Sequence, residues 1–397
     1  MNQATATVSA PSRRRSSPQQ LIAVLGLVAM MAAACGSSAS EAAIVDPQAT
    51  SAPEATAVSE PTTPPEPTEA PEPTVAPTEV PTEPTVAPTE VPTEAPEPTP
   101  TAQAGPAPAS AGCGLSDPAT SGSIDSGGET YEWFLNTPAG FDNLEPTPLI
   151  LNFHGIGSSG TEQQLFSALD PAASAAGFLT VYPTGVPAAG DDRNSWELAQ
   201  FDSPDRDDVQ FVADLIDTLA LSFCLDRDRV FSTGMSNGGL FTSNLVCRLG
   251  DRIAAAASVA GVTHDEACSP DTVTPYIAFH GVDDLTVPFN GGGVSNLGGA
   301  EGPQEFFDQV MPNEFAEFAT DFGCGEPVPE QVSDNVIRYD YPGCDNGAEL
   351  SFFEVVDGGH TWPGSPASAA ISEGFGLGFT NTEIVASELI VDFFSQY

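Results

Sequence analysis

Residues 229–249 read RVFSTGMSNGGLFTSNLVCRL, and the fold follows from how this segment is built. Val230–Thr233 is a short apolar, β-branched run of the kind that makes a buried strand, and a helical pattern opens near Gly238. Between them stands Gly234-Met235-Ser236-Asn237-Gly238, which fits G-x-S-x-G. The pentapeptide alone is a modest signal, because Gly and Ser are common in loops. Its place between a strand and a helix sharpens it. There a serine is held in a strained turn with its hydroxyl presented, and the flanking glycines let the chain turn without side-chain clashes.

Five more short apolar runs surround this one: Pro148–Phe153, Phe178–Tyr182, Ile253–Val259, Pro275–Phe279 and Leu350–Val356. Arg229–Thr233 and these five read as buried parallel strands. Helical patterns lie between or after them at Asp207–Phe223, Gly238–Leu249, Gln304–Phe322 and Thr382–Phe394. Strands alternating with helices predict an α/β protein, a mostly parallel doubly wound sheet with helices on both faces. Ligands of such a sheet sit beyond the carboxyl ends of its strands.

A serine hydroxyl needs a base, and the chain has 4 histidines. The chain order that accompanies this elbow is Ser, then acid, then His, which excludes His154 and disfavours His264. His280 precedes every plausible acid on its own loop. His360, in Asp357-Gly358-Gly359-His360-Thr361-Trp362-Pro363-Gly364, remains. The acid is expected in His280-Gly281-Val282-Asp283-Asp284-Leu285, where either aspartate could orient an imidazole and stabilise the imidazolium. Asp357 is a weaker candidate, tied to its own Gly turn. Two backbone N–H groups are needed for a developing oxyanion. Asn237 follows the nucleophile, and Ile156 lies on the early loop Asn152-Phe153-His154-Gly155-Ile156-Gly157. On this reading His154 and His280 bond loop backbone at strand ends.

The set HGIGSSG from His154, YPTG from Tyr182, GMSNGG from Gly234, HGVDDLTVPF from His280 and GGHTWPG from Gly358 resembles the secreted feruloyl esterase and polyhydroxybutyrate depolymerase-like esterases of the α/β-hydrolase superfamily. The resemblance spans Cys113–Tyr397. It implies an α/β-hydrolase fold and a serine carboxylic ester hydrolase, with Ser236 as nucleophile, Asp284 rather than Asp283 as acid and His360 as base, and with no cofactor or metal. Hydroxycinnamoyl esters of plant polysaccharide and polyhydroxyalkanoate polyesters or oligomers are the substrates it suggests. Trp196, Trp362 and Phe289 are expected to form a sheltered aromatic pocket. Phe318 and Phe322 stand where relatives often carry a Trp, and with the glycine-rich loop 291–302 they are expected to border the acyl site. A catalytically inactive hydrolase-fold surface lipoprotein that only binds is the alternative from another class.

The first third of the chain is a different polymer. Arg13, Arg14 and Arg15 precede an apolar stretch, Leu21 to Ala34, that is too short to span a bilayer stably. It ends Ala32-Ala33-Ala34-Cys35-Gly36, so residues 1–35 read as a bacterial signal peptide with a lipobox and Cys35 as the lipidated residue. Residues 36–112 are rich in Pro, Thr and Glu, and PTVAPTEVPTE at Pro73–Glu83 recurs at Pro84–Glu94. Such a segment cannot bury enough surface to fold. It reads as a disordered linker before a catalytic domain at 113–397, on a secreted protein attached to the membrane only through its lipid anchor.

The formal net charge is -45, with 55 acidic residues against 10 basic ones, so nucleic acid is excluded as a partner. A monomer is expected. Six cysteines follow the linker, and in an oxidising compartment they read as disulfides. Tyr341-Pro342-Gly343 turns the chain just before Cys344, which favours Cys324–Cys344; Cys113–Cys224 and Cys247–Cys268 then follow.

Overall fold

The computed structural model describes residues 110–188, 192–198, 206–264, 268, 272–292 and 309–397. The leader, Cys35, nearly all of the linker and most of the loop 291–302 lie outside them.

Twelve strands and seven α-helices are found among the described residues. In chain order the strands are β1 (Ser121–Ser126), β2 (Glu129–Asn136), β3 (Thr147–Phe153), β4 (Leu179–Thr184), β5 (Val186–Pro187), β6 (Asn194–Ser195), β7 (Leu225–Met235), β8 (Ala255–Val259), β9 (Tyr276–Gly281), β10 (Val328–Ser333), β11 (Val336–Tyr341) and β12 (Leu350–Val355). The helices are α1 (Gly160–Ser167), α2 (Asp170–Ala175), α3 (Asp208–Ala220), α4 (Asn237–Arg248), α5 (Met311–Asp321), α6 (Pro366–Ile371) and α7 (Ala386–Phe394). Ten strands form one sheet in the order β1-β2-β4-β3-β7-β8-β9-β12-β11-β10, and β5 pairs with β6 in a separate hairpin.

The strands from β4 to β12 in that order run parallel. They are the six runs picked out by their unbroken apolar character, which follows from burial on both faces. Alternate residues divide between two cores. Leu149, Leu151, Phe153, Tyr276, Ala278 and Phe352 pack with α3, α4 and α5, whereas Ile150, Ala257, Ile277, Phe279 and Phe353 pack with α7 on the other side. Helices therefore cover both faces, and the fold is that of an α/β hydrolase.

Four flanking strands are additions to the expected sheet. β1, β2, β11 and β10 pair antiparallel at its two margins. β10 is exposed along nearly its whole length and carries Pro329, so no buried run marks it. The last helix, α7, starts at Ala386, later than its sequence pattern, and α5 is described from Met311, with residues 304–308 of its pattern outside the described residues. In α3 the N-cap is Asp207, whose carboxylate accepts the Gln210 N–H at 2.8 Å.

Three disulfides join Cys113 to Cys224, Cys247 to Cys268 and Cys324 to Cys344. Three such bonds fit an oxidising compartment. The domain starts earlier than residue 113. Ser110 Oγ donates to Phe223 O at 2.6 Å and accepts the Leu225 N–H at 2.8 Å, while the Gly112 N–H donates to Ala220 O at 2.9 Å. Ser110–Gly112, counted with the linker by composition, belong to the packed body.

Candidate active site

β7 ends at Met235, α4 begins at Asn237, and Ser236 is the single residue between them. Its φ is 57° and its ψ -124°, a strained conformation for a residue with a side chain. The close approaches explain the glycines. A Cβ on Gly238 would meet Phe153 O at 2.2 Å, and one on Gly234 would meet Gly238 O at 2.4 Å. Ser236 N–H donates to Val259 O at 2.9 Å, which ties the elbow to the neighbouring strand β8.

Asp284 follows β9, and His360 follows β12, the next strand of the sheet. The two loops touch: a Cβ on Gly281 would lie 2.2 Å from Gly358 O, and the Asp283 N–H donates to Gly358 O at 2.9 Å. Asp284 turns inward because its Oδ1 accepts the N–H groups of Thr286 and Val287, each at 2.8 Å. Its Oδ2 then accepts His360 Nδ1–H at 2.7 Å. Asp283 is exposed, and Asp357 is held by Asn381 Nδ2 at 2.8 Å. Burial by itself would raise the Asp284 carboxyl, but the facing imidazoles of His360 and His280 outweigh it and hold the group well below the usual carboxylate range. With Nδ1 donating to Asp284, Nε2 of His360 is left as the acceptor nitrogen, the form a general base requires. Among the described residues no hydrogen bond joins His360 to Ser236 Oγ. Such contacts are often long in unliganded enzymes.

The loop after β3 passes beside the serine. A Cβ on Gly155 would lie 3.2 Å from Ser236 Cβ and 3.7 Å from Ser236 Oγ. Asn237 N–H is a first-turn amide of α4, a group that no intrahelical carbonyl can satisfy and that carries the positive end of the helix dipole. Neither this amide nor that of Ile156 is hydrogen-bonded among the described residues. Both are free to receive an anionic oxygen.

His154 and His280 do bond backbone. His280 Nε2–H donates to Val287 O at 2.8 Å and lies 3.4 Å from Asp284 Oδ2, so it also braces the acid. His154 Nδ1–H donates to Gly155 O at 2.7 Å while its Nε2 accepts the Gly185 N–H at 2.9 Å. Burial lowers His154 from its ordinary 6.5 to about 4. The unfolded chain therefore takes up a proton before the folded one, and stability is complete above about pH 6.5 and is lost as pH falls towards 4. A shift of this size corresponds to on the order of 3 kcal/mol. In His154→Asn, which cannot titrate, the loss of stability between pH 7 and 4.5 should be smaller by about that amount. Denaturant midpoints at the two pH values check this, and parallel losses in the two proteins would contradict it.

The aromatic residues expected around the substrate are core residues. Trp196 stacks on Phe241 at 5.3 Å and meets Phe153 edge-on, while Trp362 is wholly buried and donates to Ser387 Oγ at 2.9 Å. Phe289, Phe318 and Phe322 are buried too. Their size made them stand out, but apolar packing, not access to a ligand, occupies them. Among the described residues one convergence of metal-ligand types occurs, His264, Cys268 and Asp321, but the Cys268 sulfur is committed to its disulfide with Cys247.

Residues that the sequence did not single out gather beside the β5–β6 hairpin. Buried Asp208 accepts from Arg206 Nε at 2.7 Å, from the Glu197 N–H at 2.7 Å and from Tyr131 OH. The one available signal was an Arg-x-Asp pair in a chain with so few cations.

No family model matches the chain. It is 30% identical over 229 residues to feruloyl esterase B of Piromyces equi, an alignment covering 56% of this chain and 41% of that protein. It is 28% identical over 233 residues to the bifunctional acetylxylan esterase/xylanase of Neocallimastix patriciarum, covering 58% of this chain and 31% of that one. The alignments thus take in less than half the length of either relative. Among solved structures, the acetyl xylan esterase from Aspergillus awamori is similar with a TM-score of 0.41 and 16% identity, covering 62% of this chain and 94% of that chain.

Proposed function

We propose that this chain, whose sequence relatives are feruloyl and acetylxylan esterases, is an extracellular carboxylic ester hydrolase that works through an acyl-Ser236 intermediate. One observation carries the reading: the buried Asp284–His360 pair stands at the carboxyl edge of the sheet that also presents Ser236 on its strained elbow. Ser236 Oγ attacks the ester carbonyl as His360 Nε2 takes its proton, and Asp284 stabilises the imidazolium. The tetrahedral oxyanion accepts from the Asn237 and Ile156 N–H groups. Collapse expels the alcohol, which takes the proton from His360. Water, deprotonated by the same nitrogen, then releases the acid.

The relatives' names favour hydroxycinnamoyl or acetyl esters of plant polysaccharide over polyhydroxyalkanoates. Rates on methyl ferulate, acetylated xylan, 4-nitrophenyl butyrate and hydroxybutyrate oligomers decide among these. A fluorophosphonate probe tests the chemistry itself. Failure to label Ser236 in the folded chain would leave the inactive binding protein as the better reading. Export through residues 1–35 and a lipid on Cys35, with residues 36–112 as a stalk, complete the proposal. A Cys35→Ser chain that still fractionated with membranes would refute the anchor.

A further inference from the structure

The two amides assigned to the oxyanion come from different strands, Ile156 from the loop after β3 and Asn237 from the turn after β7. Their separation decides whether both can reach one oxygen, since each must lie about 2.7–3.1 Å from it. Among the described residues, the segment that contains the β5–β6 hairpin is hydrogen-bonded to both loops. On the Ile156 side, Asn194 O accepts the Gly157 N–H at 2.7 Å, and Asn194 Nδ2 donates to Ser158 O at 3.0 Å. On the Asn237 side, the Asn237 carboxamide grips the backbone of one residue at both its N–H and its C=O. Its Oδ1 accepts the Trp196 N–H at 2.6 Å, and its Nδ2 donates to Trp196 O at 3.0 Å. Trp196 Nε1 also donates to His154 O at 3.0 Å, just ahead of Gly155.

The hairpin is itself clasped. Arg206 Nη1 donates to Val186 O of β5 at 2.8 Å, and its Nη2 donates to Ser195 O of β6. Asp208 fixes the guanidinium from behind, with side chains of both residues almost wholly buried. A planar fork is needed to reach two carbonyls and a carboxylate at once, and a lysine ammonium cannot do it.

We propose that the β5–β6 hairpin, clasped by Arg206, is the template that sets the gap between the Ile156 and Asn237 amides, with Asn194 and Arg206 as positioning residues for the oxyanion hole. The inference rests on the esterase reading. It calls for a defect in transition-state stabilisation, because both residues act through the loops that carry the two amides. The test uses the full chain with Asn194→Ala and Arg206→Lys, each corrected for active sites by fluorophosphonate titration. With 4-nitrophenyl butyrate, kcat per active site should fall on the order of 10-fold in Asn194→Ala and more in Arg206→Lys, with KM within about 2-fold. Affinity for an alkylboronic acid, which forms a tetrahedral anion on the serine, should fall by the same factor as kcat/KM. Asn194 is half-buried and its replacement removes one side-chain bond, so that variant keeps the inference testable should Arg206→Lys fail to fold. Unchanged kcat per active site and unchanged boronate affinity in folded Asn194→Ala would overturn the inference alone. An unsubstituted chain that neither labels nor hydrolyses esters would overturn the esterase reading and this inference with it.

Discussion

Ser236→Ala should lower kcat for ester hydrolysis on the order of 10⁶-fold, and His360→Ala by a similar factor, with little change in KM. Asp284→Asn should cost less, on the order of 10⁴-fold, because the imidazole keeps its place but loses the partner that selects its tautomer. The losses should not add: the Ser236→Ala, His360→Ala double variant should be no slower than either single one, since the hydroxyl and its base act as a unit. Asp283→Ala is the control. Asp283 is exposed and offers only its backbone to Gly358, so its rate should stay within a few-fold of the unsubstituted enzyme. Steady-state rates on a soluble aryl ester read all of these. A near-normal Asp284→Asn beside an inactive Asp283→Ala would reverse the assignment of the acid.

The largest loss of stability should follow removal of the Cys113–Cys224 bond, by Cys113→Ser with Cys224→Ser. The bond closes a span of 111 residues, and the chain-entropy account assigns a loop of that length on the order of 5 kcal/mol. Cys324–Cys344, across 20 residues, should contribute about 3 kcal/mol by the same account. A loss of 5 kcal/mol is a large share of a typical domain's total stability. Chemistry should survive in the molecules that remain folded, because Cys224 precedes β7 while Ser236 lies beyond its other end. Denaturant unfolding gives the stability, and kcat per titrated active site gives the chemistry. A larger loss from the Cys324–Cys344 pair would show that native contacts, not loop length, control the ranking.

The features legible in the chain alone are those whose constraints are local. The elbow was legible because backbone packed against backbone excludes a Cβ at Gly234 and Gly238, and only glycine writes that demand into the sequence. The central strands were legible because burial on both faces removes polar residues from them. The marginal strands were not. β1 and β10 are exposed for most of their residues, so no buried apolar run marks them, although each pairs with its chain neighbour, β1 with β2 and β10 with β11. Asp283 and Asp284 are equivalent as local sequence, and the family resemblance, not their own context, separated them. Tertiary structure chooses through the turn at Thr286 and Val287 and the approach of Gly358, which aim Asp284 at a histidine 76 positions away. Trp196 and Trp362 show the reverse error: large aromatic side chains suit a pocket and a core equally by composition, and only packing assigns them to the core. The Arg206–Asp208–Tyr131 cluster joins partners 77 positions apart, so no local pattern could announce it. It became visible only where the fold buried those charges together, behind the loops they hold.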